Sequence, residues 1–307
     1  MTYSQNITAA LLGLMKRDPN VLILGAGVAD PKGIFGTCVP ARQAFPDRVI
    51  ETPLSENMLT GALAGLAVNG WKPILVHARA EFALLGWEHL VNTIAKWPWL
   101  HGGETLPIIV RCLVGRGWGQ GPTHSQSFHR MLADVPGLRV LYSVNPETVG
   151  SWFQFDEGEF PTVIFEPRRL YDVEALGLVD VIDPDITLYT YGDIVLDAVQ
   201  AAALLKRSDD INVRVMPVED LSVPPESWPG PRLWCDTMPS LRAGWVTPPM
   251  QPTPTAQRLE AGHYPTVQDI AEAALRVLTG IPGTARFPGA AVYERDGRLE
   301  ALRCGTR

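Results

Sequence analysis

Two residues of this sequence have types and neighbours suited to moving protons. Glu56 lies in TPLSENMLTGALAGLAVNG, residues 52–70, with Pro53 and Leu54 before it. Met58, Leu59, Ala62, Leu63, Leu66 and Ala67 follow at three- and four-residue spacing. That spacing predicts a largely buried helix opened by a carboxylate. A carboxylate with little water around it holds its proton more tightly and can share it with a ligand. The same position also suits an acid that only complements the positive end of a helix dipole. His124 lies in the glycine-rich stretch GWGQGPTHSQS, residues 117–127. An imidazole titrates near neutrality and suits proton transfer or oxyanion binding, or it fastens such a loop by hydrogen bonds.

Elements must hold these side chains in place. Short β-branched and leucine-rich runs at Val21 to Leu24, Pro73 to Val76, Pro107 to Arg111, Leu138 to Tyr142 and Thr162 to Phe165 read as buried strands. An amphipathic helix precedes them, and helical patterns at 56–69, 84–97, 125–133 and 146–154 separate them. Strands alternating with helices predict an α/β fold with a mainly parallel sheet covered on both faces. The first domain is expected over residues 1–180, with DVEALGLVDVIDPD (172–185) as a linker. A second, smaller α/β domain is expected over 186–280. It has strands at 186–192 and 211–221, a helix near 194–206, a candidate strand at Arg232 to Cys235 and a closing helix at 266–279. Residues 281–307 read as a tail.

Composition narrows the function classes. A net charge of -7 across 307 residues argues against a general nucleic-acid surface. Cys38, Cys112, Cys235 and Cys304 are scattered, without the spacing of a zinc site or disulfide frame, which fits a reducing cytoplasm. No apolar run approaches the length needed to cross a bilayer. The glycines of LGAGVAD, Gly25 and Gly27, lack the third glycine of a dinucleotide fingerprint and read as a strand-to-loop turn.

Several ordered segments together carry a resemblance. They are VLILGAGVADPKGIFG (21–36), DRVIETPLSENMLTGALAGLAVNGWKPI (47–74), LPIIVRC (106–112), GWGQGPTHSQS (117–127), PGLRVLYSVNPET (136–148), FEPRRLY (165–171) and LYTYG (188–192). The chain resembles the beta subunit of thiamine-diphosphate 2-oxoacid dehydrogenases of the pyruvate and branched-chain types, which is similar to the C-terminal half of transketolase. The resemblance implies a pyrimidine-binding domain followed by a reduced transketolase C-terminal-like domain. It implies that Glu56 hydrogen-bonds the aminopyrimidine of thiamine diphosphate and so promotes ionisation of the thiazolium. It places Leu54 and Phe82 with Glu56 at the cofactor, and His124 at its reactive end. His89, His101, His129 and His263 read as structural or surface residues.

Departures from the family pattern are equally informative. In VHARAEF (76–82), Arg79 stands where the family carries a phenylalanine that stacks on the pyrimidine. An arginine can stack on a ring or clamp a carboxylate or phosphate. With His77, Trp118, Gln120 and His124 it suggests a pocket changed for a different or more anionic substrate. The family's metal-binding GDG motif is absent, so Mg²⁺ and the diphosphate are expected on an alpha subunit, in an α2β2 assembly. The apolar face of GALAGLAV (61–68) and Trp87, Trp97 and Trp99 are candidate contacts, with core burial the competing explanation. The compressed, proline-rich stretch 222–254 puts docking to a lipoyl acyltransferase in doubt. Three readings follow: a 2-oxoacid dehydrogenase subunit, half of a split transketolase-like enzyme moving a ketol or acyl unit, and a non-catalytic partner of an alpha subunit.

Overall fold

The protein is described from a computed structural model covering residues 1–155, 158, 160–225, 229–240, 245–248, 253–280, 292–295 and 298–301. These residues pack into two compact units, one of residues 1–114, 128–175 and 220–224, the other of 115–127, 176–219 and 225–307.

The first unit begins with α1 (Tyr3–Arg17), started by a capping box in which Thr2 and Gln5 satisfy each other's backbone N–H groups. There follow β1 (Val21–Gly25), α2 (Val39–Ala44), β2 (Val49–Glu51), α3 (Glu56–Val68), β3 (Lys72–His77), α4 (Trp97–Leu100), β4 (Ile109–Val114), α5 (His129–Ala133), β5 (Arg139–Tyr142) and β6 (Thr162–Pro167). The six strands form one parallel sheet in the order β2-β1-β3-β4-β6-β5. Every residue of β1, β4 and β6 is buried, as a parallel sheet clothed on both faces requires. Residues 220–224 lie along β5, where Leu221 N–H donates to Val140 O.

Three expected helices take other forms. Residues 84–97 fold as a 3₁₀ helix over Ala80–Gly86 and a π-helical turn over His89–Ile94, followed by the single turn of α4. Gly86 is the reason for the tight approach here, because a Cβ on it would collide with the Thr60 side chain of α3. Of 125–133 only α5 is helical, and 146–154 supplies one 3₁₀ turn, Val149–Trp152. Strand β2 had no signal, since PDRVIE is short and two of its three strand residues are exposed. Helix α3 is buried on one face only: Leu59, Thr60, Leu63, Ala64 and Ala67 face inward, while Met58, Ala62, Gly65 and Val68 lie open.

The second unit contains β7 (Ile186–Tyr191), α6 (Val195–Asp209), β8 (Val213–Pro217), β9 (Arg232–Asp236), β10 (Trp245–Val246), α7 (Gln257–Glu260), α8 (Val267–Thr279), β11 (Val292–Arg295) and β12 (Arg298–Ala301). Its main sheet is parallel, in the order β10-β9-β7-β8. Ile186 and Leu188 of β7 pack with Ala198 and Leu205 of α6 and Ile270 and Ala274 of α8. A second capping box, Thr266 with Asp269, starts α8. Of the expected tail, 281–291, 296–297 and 302–307 lie outside the described residues, and β11 pairs antiparallel with β12.

Candidate functional site

The residues singled out from sequence fall on both units. In the first, Leu54, Glu56, His77 and Phe82 line a single cleft with Gly25, Ala26, Pro53 and the end of β3. Sheet topology brings them together: β1 and β3 are neighbours, and each ends at the same edge before a loop. Gly25 closes β1 with φ 153°, and a Cβ there would collide with the carbonyl oxygen of Val76. Its absence lets the two strand ends come close. The room in this chain alone is small, about 30 Å³, enough for about one water molecule.

Two polar groups at the cleft are without a side-chain hydrogen bond among the described residues. Glu56 opens α3 half-buried, and no described residue hydrogen-bonds its carboxylate; the helix bond at this position is made by its backbone oxygen, which accepts from Thr60 Oγ1 at 2.7 Å. His77 is 3% exposed, and its Nε2 meets no hydrogen-bond partner among the described residues. Burial lowers its pKa to about 4, so the ring is neutral at neutral pH. Leu54 stands 79% exposed beside them and Phe82 is half-buried. Arg79 does not line this cleft. Its Nη1 donates to Ala78 O at 2.6 Å, and its guanidinium lies 5.9 Å from the Phe35 ring.

In the second unit, Trp118 and Gln120 are exposed and His124 is half-buried on the 115–127 loop. His124 Nδ1 lies 2.8 Å from Thr123 Oγ1, and its N–H donates to Gly121 O at 3.3 Å. The loop is fastened elsewhere by residues the sequence did not single out. Arg116 pairs with Asp193 at 3.1 Å and Asp197 at 3.5 Å, and Glu260 accepts from the N–H groups of Gly117 and Gly119. Sequence separations above seventy residues hide these pairs from any local pattern.

The remaining histidines serve the fold. His129 is fully buried against Tyr142 and Phe165, His101 stacks on Trp97 at 3.9 Å, and His89 lies 3.2 Å from Glu88. His263 is buried, and burial reinforced by Arg116 lowers its pKa to about 4. In LGAGVAD the N–H groups of Gly27 and Ala29 donate to the Glu51 carboxylate at 2.6 and 2.8 Å. Those are donors a bound phosphate would need, so the turn is already occupied. Among the described residues no cluster of three metal-ligating side chains occurs, and no helix is long and apolar enough to cross a membrane.

The family pattern "Transketolase, pyrimidine binding domain" matches residues 1–174, more than half of the chain. The beta subunit of 2-oxoisovalerate dehydrogenase from Bacillus subtilis (strain 168) is 31% identical over 232 residues, 70% of this chain and 71% of that protein. The chain belongs to the 2-oxoacid dehydrogenase beta-subunit family. That family consists of thiamine-diphosphate enzyme subunits related to the pyrimidine-binding domain of transketolase. The beta subunit of acetoin:2,6-dichlorophenolindophenol oxidoreductase from Cupriavidus necator is 27% identical over 317 residues, covering 87% of this chain and 94% of that one. Among solved structures, a split-gene transketolase, described as an inactive beta4 tetramer, superposes with a TM-score of 0.67 at 18% identity. It covers 91% of this chain and 98% of its own, and at that identity it speaks for the fold alone.

Proposed function

We propose that the chain is the beta subunit of a heteromeric thiamine-diphosphate enzyme acting on a 2-oxoacid, in which Glu56 holds the proton that activates the cofactor. The observation that carries this reading is buried His77, whose Nε2 meets no partner among the described residues, in one cleft with the half-buried Glu56 and with Phe82. Buried polar groups in native proteins are almost always satisfied, so an imidazole nitrogen left open in one cleft with a half-buried carboxylate fits groups that meet a ligand. An aminopyrimidine offers what they lack. Its ring nitrogen suits a carboxylate that can share a proton, its exocyclic amine suits a neutral imidazole, and its face suits Phe82.

When bound, thiamine diphosphate supplies a thiazolium that accepts the electron pair released at a carbonyl carbon. This chain's part is to bind and orient the pyrimidine, to hold a proton at Glu56, and to bring His124 to proton transfer or oxyanion binding at the reacting carbonyl. Arg79 is assigned to the carboxylate of the substrate. The diphosphate and its Mg²⁺ belong to an alpha subunit, in an α2β2 assembly. The open face of α3 (Met58, Ala62, Gly65, Val68), with exposed Leu54 and Leu85, is a surface of the kind such a partner covers. Trp99, 60% exposed, is a further contact.

A second reading is transfer of a ketol or acyl unit, and the Cupriavidus relative, named as an acetoin oxidoreductase subunit and aligned over 94% of its length, adds acetoin to the substrates to be screened. Co-expression with a candidate alpha chain that carries the GDG motif decides between them. The complex is titrated with thiamine diphosphate and Mg²⁺ by calorimetry, then screened with 2-oxoacids, acetoin and ketose phosphates. Turnover of 2-oxoacids supports the first reading, turnover of acetoin or ketose phosphates alone the second. A complex that binds no cofactor sinks both.

A further inference from the structure

The 115–127 loop is held to its own unit by a buried carboxylate. Glu260, at the end of α7, is fully buried. Its Oε1 accepts from the N–H of Gly117 at 2.7 Å and its Oε2 from the N–H of Gly119. A buried carboxylate is costly unless its oxygens are met, and here backbone N–H groups of the loop meet both. Gly119 has φ 67°, and a Cβ on it would collide with the backbone nitrogen of Gln257, so the loop lies directly on α7.

A second fastening flanks the first. The Arg116 guanidinium bridges buried Asp193 and Asp197 and lies 4.3 Å over the Tyr264 ring. Tyr264 in turn donates through its hydroxyl to Ser125 O at 2.8 Å, one residue past His124. The loop is thus pinned at 116, 117, 119 and 125, and the stretch between carries Gln120 and His124. Backbone N–H groups captured by a carboxylate fix a loop's path without using a side chain of the loop itself.

We propose that Glu260 is a positioning residue, which, with Arg116 and Tyr264, sets where the His124 imidazole stands. This rests on the reading of His124 as the proton-handling group of this loop. Glu260→Gln keeps the volume but replaces one acceptor by an NH₂ that opposes a backbone N–H. In the full-length chain, amide exchange of residues 115–127 rises at least tenfold in this variant while β1, β3 and β4 keep their protection. Carbethoxylation of His124 by diethyl pyrocarbonate, read by peptide mass, changes severalfold. Unchanged exchange and labelling overturn the proposal.

Gly119→Ala displaces the loop with Glu260 intact and carries the same test if Glu260→Gln fails to fold. It must give the same two changes, and their absence overturns the proposal. In the complex with the alpha chain, Glu260→Gln lowers kcat about tenfold, leaves the thiamine diphosphate requirement unchanged, and adds nothing on a His124→Ala background. A loosened loop with undiminished kcat overturns the positioning role. If even the unmodified complex turns over nothing, the function reading fails, and exchange and labelling alone decide the placement of His124.

Discussion

Two pairs of ionisable side chains in the first unit are treated in opposite ways. Arg111 of β4 and Glu166 of β6 are both fully buried and joined bidentately at 2.6 and 2.8 Å. Arg111 also donates to Thr37 Oγ1 at 3.2 Å and to Cys38 Sγ at 3.5 Å, and the Tyr171 hydroxyl donates to Glu166 at 3.1 Å. Burial opposes the arginine's charge, but Glu166 outweighs it and raises the guanidinium pKa. Glu56 and His77, by contrast, keep side-chain polar atoms that no described residue hydrogen-bonds. The first pair ties the 34–38 turn to the sheet. The second is not tied into the fold in this way.

That contrast is open to direct attack. The largest effect is expected at the saturated pair. Glu166→Leu strands a buried guanidinium, and breaking such a pair costs about 4–5 kcal/mol. Urea unfolding of Glu166→Leu and of the double variant Arg111→Met with Glu166→Leu measures it, and the double variant should recover most of the loss. A single variant of near-native stability would remove the structural half of the comparison. At the open pair the expected effect lies in chemistry. Glu56→Gln should unfold at an unchanged urea midpoint yet lower turnover of the alpha–beta complex about 10³-fold, within the range for a proton-handling group. A destabilised Glu56→Gln would mean that the carboxylate serves the helix and not a ligand.

Acid sharpens the distinction further. The His77 pKa is about 4 in the fold, against 6.5 for an unperturbed histidine. Between those values the unfolded chain binds a proton that the folded chain refuses. Stability therefore falls as pH drops from about 6.5 to about 4, by about 3 kcal/mol for this residue. His77→Gln should flatten that slope when unfolding is measured across the range. An unaltered slope would mean that another group, His263 foremost, carries the whole effect.

The strands were legible in the sequence because a parallel sheet buried on both faces is written as unbroken apolar runs. Helix α3 was legible by spacing, although Met58 and Val68 show that apolar spacing does not say which face finds cover within the chain. Residues 84–97 looked helical by composition, but close packing at Gly86 and the Pro98 that follows break that stretch into 3₁₀, π and α turns. Glu56 could be named in advance from its place at a helix start, and Leu54, His77 and Phe82 only through the resemblance and the departures from it. Arg111 with Glu166, and Arg116 with Asp193, could not. Each appears locally as a lone charge, and only the sheet or the second unit supplies its counterpart.

Arg79 tests the comparison at a third kind of position, since it is neither fully buried like Arg111 nor part of the cleft lining like Glu56. It is half-buried, burial lowers its pKa against the opposing pull of Glu81, and its guanidinium lies near Phe35 and outside the cleft that Glu56 lines. A guanidinium one residue along from Ala78, which lines the cleft, suits the carboxylate of an incoming substrate better than the face of a cofactor ring. Arg79→Ala should accordingly raise the KM for a 2-oxoacid about tenfold, equal to about 1.4 kcal/mol, and leave the thiamine diphosphate requirement within twofold. Arg79→Lys should restore only part of the loss, since an ammonium cannot make the bidentate contact. Equal damage to substrate and cofactor requirements would make Arg79 a stacking residue after all, moved onto the pyrimidine when the partner subunit completes the site.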